Sequence, residues 1–263
     1  MKPIHHALVS TRLFGGAPKD YLAVHNAFDM SKAALPDMRH RAALHSVDHG
    51  AAVMELIFPE RIGGTTLGDI CFQHVNDDQG FDVKLDHWLA ECQVPGYAMA
   101  FRAPPEGLEG FLISPAQACA DRWGGSERDY AAICEYYTLP SRFSDHPMAP
   151  AVALNAFGIF FSEMAFGQAI EVARSDGRTR YVAIRDIGEC ISLARYSKIL
   201  SLADVFQTMA KKPWMTGSRV ERSRQRRMKV ASRSDLFDET AQTKNDPAAS
   251  FLDEDAVKVV LND

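Results

Sequence analysis

Apolar positions along this chain follow the same pattern twice. In the first round, Tyr21, Val24 and Phe28 recur at helical spacing behind Pro18, which suits the first turn of a helix because its missing N–H would be unpaired there. Leu44, Val47, Met54 and Phe58 fit a period of about 3.6 better than one of about 2. They predict a second helix opened by Pro36 and stopped by Pro59. Gly63-Gly64 predicts a turn, residues 69–75 a short helix, and residues 83–92, with Leu85, Trp88 and Leu89, another. The second round predicts helices over 127–137 behind the N-cap Ser126, 149–166, 186–195 and 201–209, with Ser201 and Asp204 resembling a capping box. Between them Ile170, Val172, Val182 and Ile184 alternate around Ser175-Asp176-Gly177-Arg178, a hairpin signal. The first round has only Gly63-Gly64-Thr65-Thr66 there, so its hairpin is expected to be short or absent.

The identities behind this pattern also recur. Phe14-Gly15-Gly16 with Asp20-Tyr21 returns as Trp123-Gly124-Gly125 with Asp129-Tyr130. Gly50, Glu55 and Phe58 return as Gly158, Glu163 and Phe166, and Asp69-Ile70 as Asp186-Ile187. Matches kept in one order mark a duplicated structural unit. The expected fold is mainly α, with a minor β contribution: two tandem pseudo-symmetric helical units, the second carrying a hairpin, and an extended C-terminal tail. The boundaries are copy one at 1–95, a Pro- and Gly-rich linker at 96–117, copy two at 118–210 and the tail at 211–263.

Composition narrows the function. A chain of 263 residues with 46% hydrophobic and 24% charged residues reads as an ordinary soluble globule. Its net charge of −5 gives no overall attraction to nucleic acid. Five cysteines without a C-x-x-C pair argue for a reducing compartment rather than a disulfide framework. His5, His6, Ser10 and Arg12 interrupt any signal-peptide core, and no stretch is apolar enough to span a membrane. The expected location is the cytoplasm or an assembled particle. No P-loop, nucleophile elbow or dinucleotide fingerprint is present.

The two copies differ in chemistry. Copy one carries His25, His40, His45, His49 and His74, where copy two has Cys134, Met148, Ala153, Phe157 and Ile191 at or near the matching places. His25 with Asp29, and His45 with His49, are separated by one helical turn, which lets a helix offer two ligands to one ion. With His74 they form a candidate divalent-metal set for Zn, Mn or Fe. Lys32, Arg39 and Arg41 could hold a phosphate or carboxylate, or simply face Asp29, Asp37 and Asp48 on a solvated surface. In the tail, Arg219, Arg222, Arg224, Arg226 and Arg227 lie in a basic run that precedes an acidic one. Such a segment buries too little surface to order alone, and so reads as a docking tail for protein subunits.

Copy one resembles an uncharacterised domain family of bacteria and their phages. The resemblance is carried by Phe14-Gly15-Gly16, Asp20-Tyr21-Leu22, His25, Phe28-Asp29, Ser31-Lys32, Asp37, Arg39-His40-Arg41-Ala42, His45, Gly50, Glu55, Asp69-Ile70 and His74-Val75. It implies no activity, only a phage-related setting. The preferred reading is a non-enzymatic structural or assembly protein that uses a duplicated scaffold and a docking tail. Two alternatives stand beside it: a metal-dependent hydrolase with its site in copy one, and nucleic-acid binding through the basic tail.

Overall fold

Residues 2–99, 103–174 and 176–216 are described by a computed structural model, and all of them belong to the unit Met1–Arg222. The first repeat opens with a helical hairpin, α1 (Pro3–Phe14) and α2 (Pro18–Asp29). Gly15 and Gly16 turn it at φ of 82° and 73°, a region where a side chain is strained. Tyr21 Oη locks the turn by donating to the Gly15 carbonyl at 2.8 Å, and Asp20 caps α2 by accepting from Ala17 N–H at 2.8 Å. Then follow α3 (Ser31–Ala34), a 3-10 turn (Met38–Ala43), α4 (His49–Glu55), the two-residue strands β1 (Arg61–Ile62) and β2 (Thr65–Thr66), α5 (Leu67–Gln79) and α6 (Leu85–Leu89). The expected short hairpin is this β1–β2 pair.

Two short helices, α7 (Gly96–Met99) and α8 (Gly110–Ile113), lie within the expected linker, and the second repeat's hairpin begins earlier than its sequence boundary, at α9 (Pro115–Trp123). With α10 (Glu127–Thr138) it reproduces the first turn closely. Gly124 and Gly125 have φ of 89° and 81°, Tyr130 Oη donates to Gly124 O at 2.8 Å, and Ser126 N–H donates to Asp129 at 2.7 Å. The repeat continues through α11 (Pro140–Phe143), α12 (Ala149–Ala153), α13 (Ala156–Phe166), the antiparallel hairpin β3 (Ala169–Ala173) and β4 (Thr179–Ala183), α14 (Ile184–Tyr196) and α15 (Leu202–Phe206).

In each repeat the long second helix read from periodicity is broken in two. In copy one the chain leaves the 3-10 turn at Leu44 and re-enters a helix at His49; in copy two Asn155 caps α13 by accepting from Phe157 and Gly158 N–H. The apolar spacing continues across both breaks, which is why periodicity alone misses them. At each break a glycine passes directly over a carbonyl: a Cβ on Gly50 would overlap Leu44 O, and one on Gly158 would overlap Ala153 O.

The repeats meet in one shared apolar core. Cys92, just after α6, pairs antiparallel with Met209, the equivalent position after α15. A residue bridged to its own counterpart places a pseudo-two-fold axis between them. Residues 213–216, expected in the tail, form a 3-10 turn that packs on copy one, with Trp214 4.7 Å from the Trp88 ring. Lys211 and Lys212 pair with Asp37 and Glu91.

Gly50→Ala and Gly158→Ala are each expected to destabilise the fold by on the order of 3 kcal/mol, because the obstructing atoms are backbone and cannot rotate away. Urea denaturation of the single variants measures this; wild-type midpoints in both would contradict the two close approaches.

Candidate metal centre

Four elements of copy one aim polar side chains at one buried point. α1 supplies His6 and Ser10, one turn apart; α2 supplies His25 and, as its last residue, Asp29; the break before α4 supplies His45; α5 supplies Gln73, His74, Asp77 and Asp78. A ligand atom from each of Asp29, His45, His74 and Asp78 lies within 4.8 Å of the other three. His45 Nε2 stands 3.2 Å from His74 Nε2, 3.5 Å from Asp29 Oδ1 and 3.4 Å from Asp78 Oδ2. His45, His74 and Asp78 are buried; Asp29 retains 13% exposure.

The hydrogen bonds around this point fix where one proton sits. Gln73 donates its amide N–H to the Asp77 carboxylate, so its oxygen accepts from the Ser10 hydroxyl at 2.6 Å. Ser10 has one hydrogen, directed at carbonyl acceptors, so it must accept from His25 Nε2–H at 2.8 Å. Neutral His25 then has a bare Nδ1, which accepts from His74 Nδ1–H at 2.9 Å. His74 Nε2 is thereby left as a lone pair pointing at His45 and the two carboxylates. Phe28 stacks on the His74 ring at 4.6 Å and holds its plane. A ligating histidine whose far nitrogen is fixed by an outer hydrogen bond has this arrangement.

Burial is the main force on the titrations. It lowers the His25 ring to about 3, with His6 adding to the effect, and puts His74 well below its ordinary value, helped by His45 and His6. Burial alone would raise the Asp78 carboxyl; hydrogen bonds from His45 and His6 and the Arg41 guanidinium at 3.0 Å outweigh it and hold the group ionised. Asp29 is lowered in the same way, its bond to His45 overcoming desolvation. His6 moves upward against its own burial because Asp77 and Asp78 face both its nitrogens.

Of the residues singled out in the sequence, the fold gathers His25, Asp29, His45 and His74. His49 is elsewhere: the break before α4 separates it from His45, and its ring sits 6.3 Å from Phe143 of copy two. Arg39 and Arg41 do not form an anion cradle with Lys32. Arg39 chelates Asp37 and donates to Phe206 O, Arg41 donates to Asp78 and to Met215 O, and Lys32 stays on the exposed side of α3. Arg219, Arg222, Arg224, Arg226 and Arg227 lie outside the described residues. Sequence reasoning missed His6, Ser10, Gln73, Asp77 and Asp78. The usable signal was His74 with Asp78 at one helical turn, hidden because the helix was ended at residue 75 when it runs to Gln79.

His49 and His40 are both lowered to about 4, chiefly by burial, and neither His49 nitrogen has a hydrogen-bond partner among the described residues. Their folded-state values lie below the unfolded value of 6.5, so the unfolded chain takes up protons first as pH falls. The stability they contribute is complete above about pH 6.5 and lost between there and about pH 4. His49→Phe, the residue that copy two has at this place, is expected to remove roughly 3 kcal/mol of that acid destabilisation. Unfolding free energies of the two proteins at pH 7 and pH 4.5 test this: parallel pH dependences would contradict it.

Neither the curated proteins nor the solved structures yield a match to the chain. A family model does match, twice, over residues 1–98 and 112–215, each span covering one of the two repeats described above. The chain is thus a tandem duplication and belongs to the DUF6915 family, a domain of unknown function.

Proposed function

We propose that this protein is a non-enzymatic scaffold whose first repeat is stabilised by one divalent metal ion held by Asp29, His45, His74 and Asp78. The observation that carries this reading is the spacing around His45 Nε2. Its three neighbours lie at 3.2, 3.5 and 3.4 Å, too many for one N–H to serve at once. They are close to the edge of a tetrahedron about 3.3 Å long that ligand distances of about 2.0–2.1 Å to zinc generate. Two imidazoles and two carboxylates suit zinc, and also manganese or iron. Two carboxylates bring a charge of about −2 to one largely buried point, which a dication matches, while Arg41 also pairs with Asp78 at 3.0 Å.

The burial favours a structural over a catalytic ion. Catalytic zinc keeps a position open for water and substrate, whereas structural sites are closed by protein ligands. Three of the four residues here are buried and the fourth nearly so. The hydrolase alternative needs an opening on Asp29 wide enough for a substrate. An assembly role, in a phage particle or elsewhere, would draw on the tail, and so would nucleic-acid binding.

Elemental analysis of the purified full chain, followed by zinc titration after chelator treatment, tests the metal. About one ion per chain is expected, with chelation lowering Tm and zinc restoring it; at a hundredfold excess over Kd the gain is about 2.7 kcal/mol. His74→Ala and Asp78→Asn should lose the ion, and His49→Phe should keep it. A chain that purifies without metal and whose Tm ignores zinc, manganese and iron would end the proposal.

A further inference from the structure

The duplication supplies an internal comparison at a second place, at the first turn of α5, whose later turns carry His74 and Asp78. A cleft of about 400 Å³ opens there, lined by Glu55, Phe58, Glu60, Thr66, Leu67 and Gly68. This is within the roughly 300–1,000 Å³ typical of small-molecule sites. In copy two the matching place holds an ion pair. Glu163, the counterpart of Glu55, receives a two-pronged ion pair from Arg185, with Nε at 3.1 Å and Nη2 at 2.6 Å. Arg185 stands one residue before Asp186-Ile187, and Gly68 one residue before Asp69-Ile70, so the guanidinium belongs where copy one has no side chain. The backbone confirms the register: Leu67 N–H donates to Glu60 O at 2.7 Å, and Ile184 N–H donates to Gln168 O at 3.0 Å.

The charge balance differs accordingly. Copy two sets one carboxylate against one guanidinium, and its second position is the neutral Gln168. Copy one has two carboxylates, Glu55 and Glu60, and among the described residues neither has an ion-pair partner; the nearby Arg61 is turned to Gly64 O. Phe58 is in the same lining, and an aromatic ring attracts a planar cation.

The geometry points to a guanidinium-binding site in this cleft, with Glu55 taking the two-pronged contact that Glu163 makes in copy two, Glu60 adding charge and Phe58 stacking. The bidentate match selects guanidinium over ammonium. The group could be the side chain of a protein arginine or part of a free guanidino compound. Two anionic carboxylates in the lining would repel the carboxylate of free arginine, which favours the first source.

The test is an NMR titration of the full chain, following the Gly68 and Glu55 amides, with N-acetyl-argininamide, free L-arginine and N-acetyl-lysinamide as probes. N-acetyl-argininamide is expected to bind at least several-fold more tightly than the lysine analogue. If it also exceeds free arginine, the site reads a protein side chain; if free arginine binds as well or better, it reads a small guanidino compound. Glu55→Gln is expected to weaken binding at least tenfold. Gly68→Arg should abolish it by installing the copy-two pair, and should fold because a Cβ there meets nothing closer than Thr66 Oγ1 at 3.8 Å. Its built-in pair gives a second readout: Gly68→Arg should raise Tm more with Glu55 present than in the Glu55→Gln background. Absence of binding by both arginine probes, equal binding of the lysine analogue, or unchanged binding in Gly68→Arg would overturn the assignment.

Discussion

A carboxylate taken out of water must be given back its charge balance, and the first repeat is organised around one such group. Asp78 is 1% exposed, yet it is held ionised by His6, His45 and Arg41. Each partner comes from a different element, so Asp78 ties α1, the break before α4 and the 3-10 turn to α5. Removing any one partner leaves a buried charge less compensated, which is far more damaging than losing an apolar contact of the same size. The dependence of neighbouring elements on this single anion explains why the imidazoles form one connected set. The hydrogen-bond chain from Asp77 to His74 is the outer part of the same arrangement, and it works because every donor in it has one acceptor open to it.

The second repeat shows what the fold needs when that anion is absent. Ser10, His25, Gln73, His74 and Asp78 are answered in order by Cys119, Cys134, Cys190, Ile191 and Arg195. Cys119 and Cys134 form a thiol pair, and Ile191 and Ala153 close an apolar core. Both repeats keep the glycine turn, the tyrosine lock, the aspartate cap and the glycine over a carbonyl. The backbone plan is therefore set by these features, and the polar centre is an addition that the plan tolerates in one copy and omits in the other.

How much of this was legible in the sequence follows from the range of each signal. Helices α2, α10 and α14, the hairpin β3–β4 and the duplication itself depend on neighbours within a few residues, and the spacing of Tyr21, Val24 and Phe28 or of Val172 and Val182 shows them. The break between Leu44 and His49 does not, because apolar residues keep helical spacing across a bend that buries both sides. That error pairs His45 with His49, since a continuous helix would set them on one face. His25 and His74 could be named from residue type, but their meeting across α2 and α5 depends on tertiary packing. Trp214 and Met215 look like tail because basic residues surround them, while their rings and carbonyls are used by Trp88 and Arg41.

The antiparallel bridge of Cys92 with Met209 bears on how such a protein diversifies. In a self-complementary pair of identical chains, every substitution lands on both sides of the axis at once, so a change that suits one half burdens the other equally. Covalent fusion removes that obligation while the tether keeps the halves at high effective concentration. One half can then lose its ionisable residues and become a dry buttress, and the other can retain them. The asymmetry between the lobes is thus a freedom that carrying two copies in a single polypeptide allows.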